Sequence, residues 1–238
     1  MLVAMSERAR NTTVDWSRPR QGAEQARPGE GLRARKKRLT RQALSDTATA
    51  MFLERGFDAV RVSEIARACG VSETTAFNYF PTKESLLLDR WESTSAALRE
   101  ALADAPTPPV RAAELLLDRE LGALVGWLSA QEDFDEAVDG FRRFGELLHS
   151  TPSLRMHQHA TTERLTDEAA EALAARSSAE PGPESQITAI ALIGLWQVQA
   201  RSITAHLATA RTPGQLADAV AADVRRAARV LEDGLDGD

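Results

Sequence analysis

Between residues 33 and 90 the chain carries a helical pattern cut at three places, Gly56, Gly70 and Pro81. Those cuts set the lengths of everything that can form there. Leu39, Ala43, Leu44, Thr47, Ala48, Met51 and Phe52 recur at three- and four-residue spacing, which places them on one face of a helix over about 35–54. Gly56 ends that helix as a C′ glycine, where a left-handed backbone costs it little. A short helix follows over SEIARAC, with Ile65 and Ala66 inward, and Gly70 stops it. Ser72 is placed to cap a third helix, ETTAFNYF, by accepting from a free amide at its start. Pro81 closes that helix, because the residue before a proline is pushed out of the helical region. Thr82 then caps a fourth helix, with Glu84 in its first turn and Leu86, Leu87, Trp91 and Leu98 along its inner face.

Beyond the PTPP of 106–109 the helical pattern resumes, with helices expected near 110–130, 133–149, 153–176, 186–210 and 214–233. β-Branched and aromatic residues nowhere alternate long enough to suggest a sheet. The expected fold is therefore all-α, with about nine helices. At 238 residues and 43% apolar content, the chain can bury a substantial core. Residues 1–32, rich in Arg, Gln, Gly and Pro without hydrophobic period, read as a disordered basic arm.

Charge is divided unevenly. Residues 1–90 hold 16 Lys+Arg against 11 Asp+Glu, a net +5, and residues 91–238 hold 13 against 24, a net -11. A basic first part on an acidic remainder points to a polyanion partner at one end, or to a basic solubilising tail. The single cysteine, Cys69, excludes an internal disulfide framework and a Cys-based zinc site, and it reads as a small core residue. No apolar run approaches the length of a membrane span. A cytoplasmic location is expected.

Two short helices joined by a Gly-containing turn, beside a longer helix, make a helix-turn-helix. Such a unit places small polar residues of its second helix at base edges while the core holds its other face. In SETTAFNYF, Ala76, Phe80 and part of Phe77 supply the core side, leaving Ser72, Glu73, Thr74, Thr75 and Asn78 outward. Hydroxyls and an amide there suit phosphates and base edges, and threonine methyls suit the thymine methyl. Lys83 can meet a phosphate at the start of the next helix, and Arg35 and Lys36 lie in the basic run RARKKRLTR. The plainer readings also stand at this stage. Ser72 and Thr75 can serve as caps on a solvated face, Tyr79 as a packed aromatic, and Lys83 and the basic run as solvated charge.

The stretch VRVSEIARACGVSETTAFNYFPTKESLL resembles the DNA-binding domain of the TetR/AcrR family of bacterial transcriptional regulators. Ile65, Ala66, Gly70, Val71, Ser72, Thr75, Phe77, Tyr79, Phe80, Lys83, Glu84 and Leu86 match its pattern in order and spacing. Two positions depart from it. Phe77 stands where the family often has Tyr and is read as mainly structural, and Arg61 stands where Ser or Thr often caps the second helix. The resemblance implies a DNA-binding domain over 33–82 and a ligand-binding and dimerisation domain over 83–238. It also implies a homodimer on a palindromic double-stranded operator, released by a small apolar ligand.

Within the C-terminal part, ITAIALIGLWQVQARSITAHL is apolar nearly all round, which requires burial on more than one side. Ile187, Ile190, Ala191, Gly194, Leu195 and Val198 are the candidate dimer surface, the alternative being the core helix of a monomer. Candidate pocket residues are Trp127, Phe134, Phe141, Phe144, Leu148, Met156, Trp196 and Gln197, which ordinary core packing would also explain. His157 and His159 lie two apart on a helix and point away from each other, so they do not suggest a shared metal. No phosphate loop, dinucleotide glycine motif or catalytic motif is present, so neither cofactor nor enzymatic activity is expected. A DNA-binding regulator without small-molecule control is the second reading.

Overall fold

The computed structural model describes residues 31–88, 90–103 and 106–235, excepting the side chains of 90–93 and 235. Nearly all of the expected basic arm, and the side chain of Trp91, lie outside the described residues. The described chain is all-α. Its helices are α1 (Leu32–Arg55), α2 (Val62–Ala68), α3 (Glu73–Tyr79), α4 (Arg90–Ala103), α5 (Pro109–Ser129), α6 (Phe134–Ser150), α7 (Pro152–Arg176), α8 (Pro183–Leu207) and α9 (Pro213–Leu235), with a 3-10 turn at Glu84–Leu86. Among the described residues, no helix is long and apolar enough to cross a membrane.

The chain groups into two compact units, one of residues up to 89 with 127–157, the other of 90–126 with 158–238. The core of the first is built on α1. Leu44, Ala48 and Phe52, four residues apart, are fully buried. Thr49 is buried beside them, its hydroxyl returned to the Ser45 carbonyl at 2.9 Å. The inward face is thus rotated from the one the sequence suggested, for Ala43 is exposed. Small residues such as Ala and Thr fit either side of a helix, so spacing alone does not fix its rotation. Phe57 folds back on Phe52, with ring centroids 4.9 Å apart.

The fourth helix also differs from expectation. Thr82 and Ser85 cap each other, the Ser85 amide donating to the Thr82 hydroxyl and the Thr82 amide to the Ser85 hydroxyl. They cap a single 3-10 turn, however, and α4 begins only at Arg90. The cause is the run Leu86, Leu87, Leu88, all buried. Three consecutive residues sweep about 200° around an α-helix, so one face cannot bury them all.

In the second unit α8 and α9 pack most extensively. Leu192, Leu195 and Ala189 of α8, and Leu216, Val220, Val224 and Ala228 of α9, are almost wholly buried. Polar contacts lock this core. Glu120 of α5 accepts from the Trp196 indole at 3.1 Å and the Thr94 hydroxyl at 2.7 Å, and the Gln199 amide donates to the Leu117 carbonyl at 2.9 Å. At the end of α7 the Arg176 guanidinium donates to the carbonyls of Leu102 and Thr107, at 2.7 and 2.9 Å. Each buried polar group so satisfied avoids the 1–3 kcal/mol or so that an unmet one costs.

Between α8 and α9, Asp223 accepts from the Ser202 hydroxyl at 2.7 Å, meets the His206 ring at 2.9 Å and pairs with Arg226 at 2.8 Å. Hydrogen bonds from Ser202 and His206, with the nearby Arg226 charge, hold its carboxyl below the usual aspartate value. A depressed carboxyl contributes stability above about pH 4, the unfolded aspartate range, and loses it as pH falls through the lower folded value. The stability gap between wild type and Asp223→Asn, from urea unfolding, should therefore be full at pH 6 and narrow below about pH 4. A gap that stayed constant across that range would contradict the assignment.

Candidate nucleic-acid interface

The chain's own geometry makes a helix-turn-helix of α2 and α3. Val62, Ile65 and Ala66 root α2 against α1. At its start the Arg61 amide donates to the Glu64 carboxylate at 3.4 Å, and Arg55 reaches the same carboxylate at 2.8 Å, tying the end of α1 to α2. The bond from Arg55, then that from Arg61, draws the Glu64 carboxyl below its ordinary value. Arg61 makes no hydroxyl cap of its own, and the side chain three residues on instead accepts from the Arg61 amide. The turn is Gly70, at φ 68°. Its amide donates to the Arg67 carbonyl and the next amide, of Val71, to the Ala66 carbonyl. Those bonds satisfy the open carbonyls at the end of α2 and aim the chain into α3.

Ser72 caps α3, accepting from the Thr75 amide at 3.1 Å, and its hydroxyl lies 2.7 Å from that of Thr75. Ala76 and Phe80 are buried and hold the helix from inside. Ser72, Glu73, Thr74 and Asn78 are exposed, while Thr75 and Tyr79 are half-buried. Both the capping and the outward roles read from the sequence thus fall on the same few residues. Only part of Phe77 was expected on the core side. It is 41% exposed, and its spacing from Glu73 and Thr74 sets it on their outward face. The face therefore combines hydroxyls, an amide, a carboxylate and one aromatic ring.

The cations divide into two groups. Lys36 is exposed on the first turns of α1, and Arg35 is half-buried there. Lys83 instead holds its ammonium over two rings, 4.4 Å from the Phe57 centroid and 5.6 Å from that of Phe52. Burial there lowers its pKa. Arg41, which the sequence left among the undifferentiated basic run, donates to the Tyr79 carbonyl at 2.7 Å and lies over the Phe80 ring at 4.6 Å. Cys69 packs beside α1, its thiol 3.4 Å from the Ala43 carbonyl and 3.3 Å from the Thr47 hydroxyl.

The other candidates fall in separate units. Trp127, Phe134, Phe141, Phe144, Leu148 and Met156 belong to the first, Trp196 and Gln197 to the second. Trp127 is buried, and the Phe141 and Phe144 rings lie 6.4 Å apart. Met156 is 72% exposed. In the second unit Gln197 is exposed, whereas Gln199, two residues on, is buried and bonded. Glu120, absent from the sequence-derived set, is the carboxylate under Trp196; only the fold brings those two positions together. On α8, Leu195 is buried, Ala191, Gly194 and Val198 are half-buried, and Ile187 and Ile190 are 61% and 56% exposed.

Residues 44–89 match the family model described as bacterial regulatory proteins, tetR family. The HTH-type transcriptional regulator TcmR of Streptomyces glaucescens is 32% identical over 155 residues, 64% of this chain and 66% of that protein. The HTH-type transcriptional regulator BetI of Rhizobium meliloti is 40% identical over 82 residues, 33% of this chain and 40% of that protein. A TetR-family regulator structure from Streptomyces coelicolor aligns with 86% of this chain and 99% of that one at 22% identity. Its TM-score is 0.41, too low to bear on helix arrangement. The chain belongs to the TetR family of bacterial regulatory proteins. That family is one of transcriptional regulators, not of enzymes.

A Cβ added at Gly70 would meet nothing within 4 Å, so only the backbone resists substitution there. Gly70→Ala should cost roughly 1–2 kcal/mol in urea unfolding, the penalty of a left-handed alanine. An unchanged midpoint would mean that the turn is not the constraint described.

Proposed function

We propose that this protein is a DNA-binding transcriptional regulator, acting as a cytoplasmic homodimer on a palindromic operator. The observation that carries the reading is α3 itself. Ala76 and Phe80 anchor it, and Ser72, Glu73, Thr74, Phe77 and Asn78 stand exposed on one short helix. In the proposed complex Asn78 and the Thr74 and Thr75 hydroxyls meet base edges or phosphates, Glu73 accepts from an exposed cytosine amine, and the Phe77 ring covers a thymine methyl. Tyr79 meets the backbone at the far end of α3, and Lys83 does so by leaving its place over the Phe57 and Phe52 rings. Arg35, Lys36 and the basic residues before them supply attraction to phosphate that salt weakens.

Dimerisation is proposed through α8. Ile187, Ile190, Ala191, Gly194 and Val198 form a stripe at helical spacing that its own chain leaves partly uncovered. Two copies related by a two-fold axis would bury that stripe and pair the two α3 helices.

Repression released by a small apolar ligand is the proposed mode of control, with Trp127, Phe134, Phe141, Phe144, Leu148, Met156, Trp196 and Gln197 as the residues to vary. A ligand acts this way only by preferring one of two states. The alternative is a regulator with no small-molecule control, and loss of DNA binding on ligand addition separates the two.

Fluorescence anisotropy on duplexes selected from a random pool, against shuffled duplexes at equal salt, tests the DNA reading. Specific, salt-sensitive binding is expected, with Asn78→Ala and Phe77→Ala each weakening it about tenfold, as the loss of one base contact does. Equal weak binding to both duplexes would refute it. For the dimer, an Ile187→Glu, Ile190→Glu double variant should sediment as a monomer and lose most operator affinity; a dimer of wild-type stability would place the interface elsewhere.

A further inference from the structure

By charge, Arg41 belongs with the basic run that precedes it. By geometry it does not. Its guanidinium is directed inward, donating at 2.7 Å to the carbonyl of Tyr79, the last residue of α3, with its centre 4.6 Å from the ring of buried Phe80. One turn further along the same face of α1, the Ser45 hydroxyl donates to the Leu86 carbonyl at 2.8 Å. The first helix therefore grips main-chain oxygens on both sides of Pro81.

The need for such a grip follows from the length of α3. A helix of seven residues is far below the size that holds itself in water. Within residues 72–80, Ala76 and Phe80 are the two fully buried side chains, and they lie four apart on one line. A line of contact fixes the depth of a short helix better than its rotation or tilt. Its N-terminal end is fixed by the Ser72 cap and the Gly70 turn. At its C-terminal end the last carbonyls lack partners within the helix and carry the negative end of its dipole, where a cation is favoured.

We infer that Arg41 is a positioning residue, which sets the rotation and tilt of α3 by holding its C-terminal carbonyl, and that it is not one of the cations that meet phosphate. The inference rests on the DNA-binding reading above. Lysine does not replace arginine in this role, because it lacks the planar group that stacks on a ring and donates in a fixed direction. Moving the guanidinium to a phosphate would forfeit both the carbonyl and the ring.

The test compares full-length wild type, Arg41→Gln and Arg41→Lys on the selected and shuffled duplexes across a salt series, with amide hydrogen exchange measured without DNA. The expected result is about tenfold weaker binding to the selected duplex in both variants, the effect of losing one charge-assisted hydrogen bond. Binding to the shuffled duplex and the salt slope should stay as in wild type, and amides 73–80 should exchange faster while amides 44–52 do not. A phosphate contact gives the opposite pattern. Arg41→Lys then binds like wild type, and Arg41→Gln weakens both duplexes and lowers the salt slope by about 0.9. Should Arg41→Gln unfold, Phe80→Leu removes the ring beneath the guanidinium and must show the same selective loss. If wild type prefers no duplex, the DNA reading fails by itself, and exchange alone decides Arg41: faster exchange in 73–80 supports the grip, unchanged exchange overturns it.

Discussion

A helix of seven residues cannot support itself, yet it is the element on which a helix-turn-helix depends. Everything around α3 is arranged to hold it. Leu44, Ala48 and Phe52 of α1 are buried in the same unit, as are Ile65 and Ala66 of α2, the helix that packs on α3. Gly70 supplies a left-handed turn that an L-residue would resist, so α2 delivers α3 at one angle. Ser72 closes one end and Arg41 the other. The energies are individually small, about 1 kcal/mol for a cap and similar for a neutral hydrogen bond. Their effect lies in rigidity, because a reading surface misplaced by an ångström loses its bonds.

Aromatic rings next to cations recur through this unit. Lys83 lies over Phe57 and Phe52, and Arg41 over Phe80. Cation–π contacts of this kind contribute roughly 0.5–1 kcal/mol at exposed sites and more when desolvated. They also explain how strongly basic sequence coexists with a compact core: part of the positive charge is used inward. A count of Lys and Arg therefore overstates the cations free to meet a polyanion.

Much of this was legible in the chain. Gly56, Gly70 and Ser72 act through local backbone chemistry, and all three do in the structure what their residue types require. Helix limits beyond Pro108 followed the same logic of period and proline. What escaped was whatever depended on distant partners. The rotation of α1 was misread at Ala43 because small residues fit either face. The 3-10 turn was missed because three adjacent leucines resemble any apolar run until their burial is seen. Arg41 and Tyr79 are 38 positions apart, and Glu120 and Trp196 are 76 apart; no spacing rule joins them.

The central claim is that α3 is the surface that meets DNA. Hydrogen exchange of the full-length protein, with and without a saturating selected duplex, addresses it directly, since bound amides are shielded and their helix is ordered. Protection concentrated in residues 70–83, with a lesser effect at the start of α1, is the predicted result. Protection confined to residues 33–41, with α3 exchanging as in the free protein, would show a basic segment binding phosphate and would contradict the account.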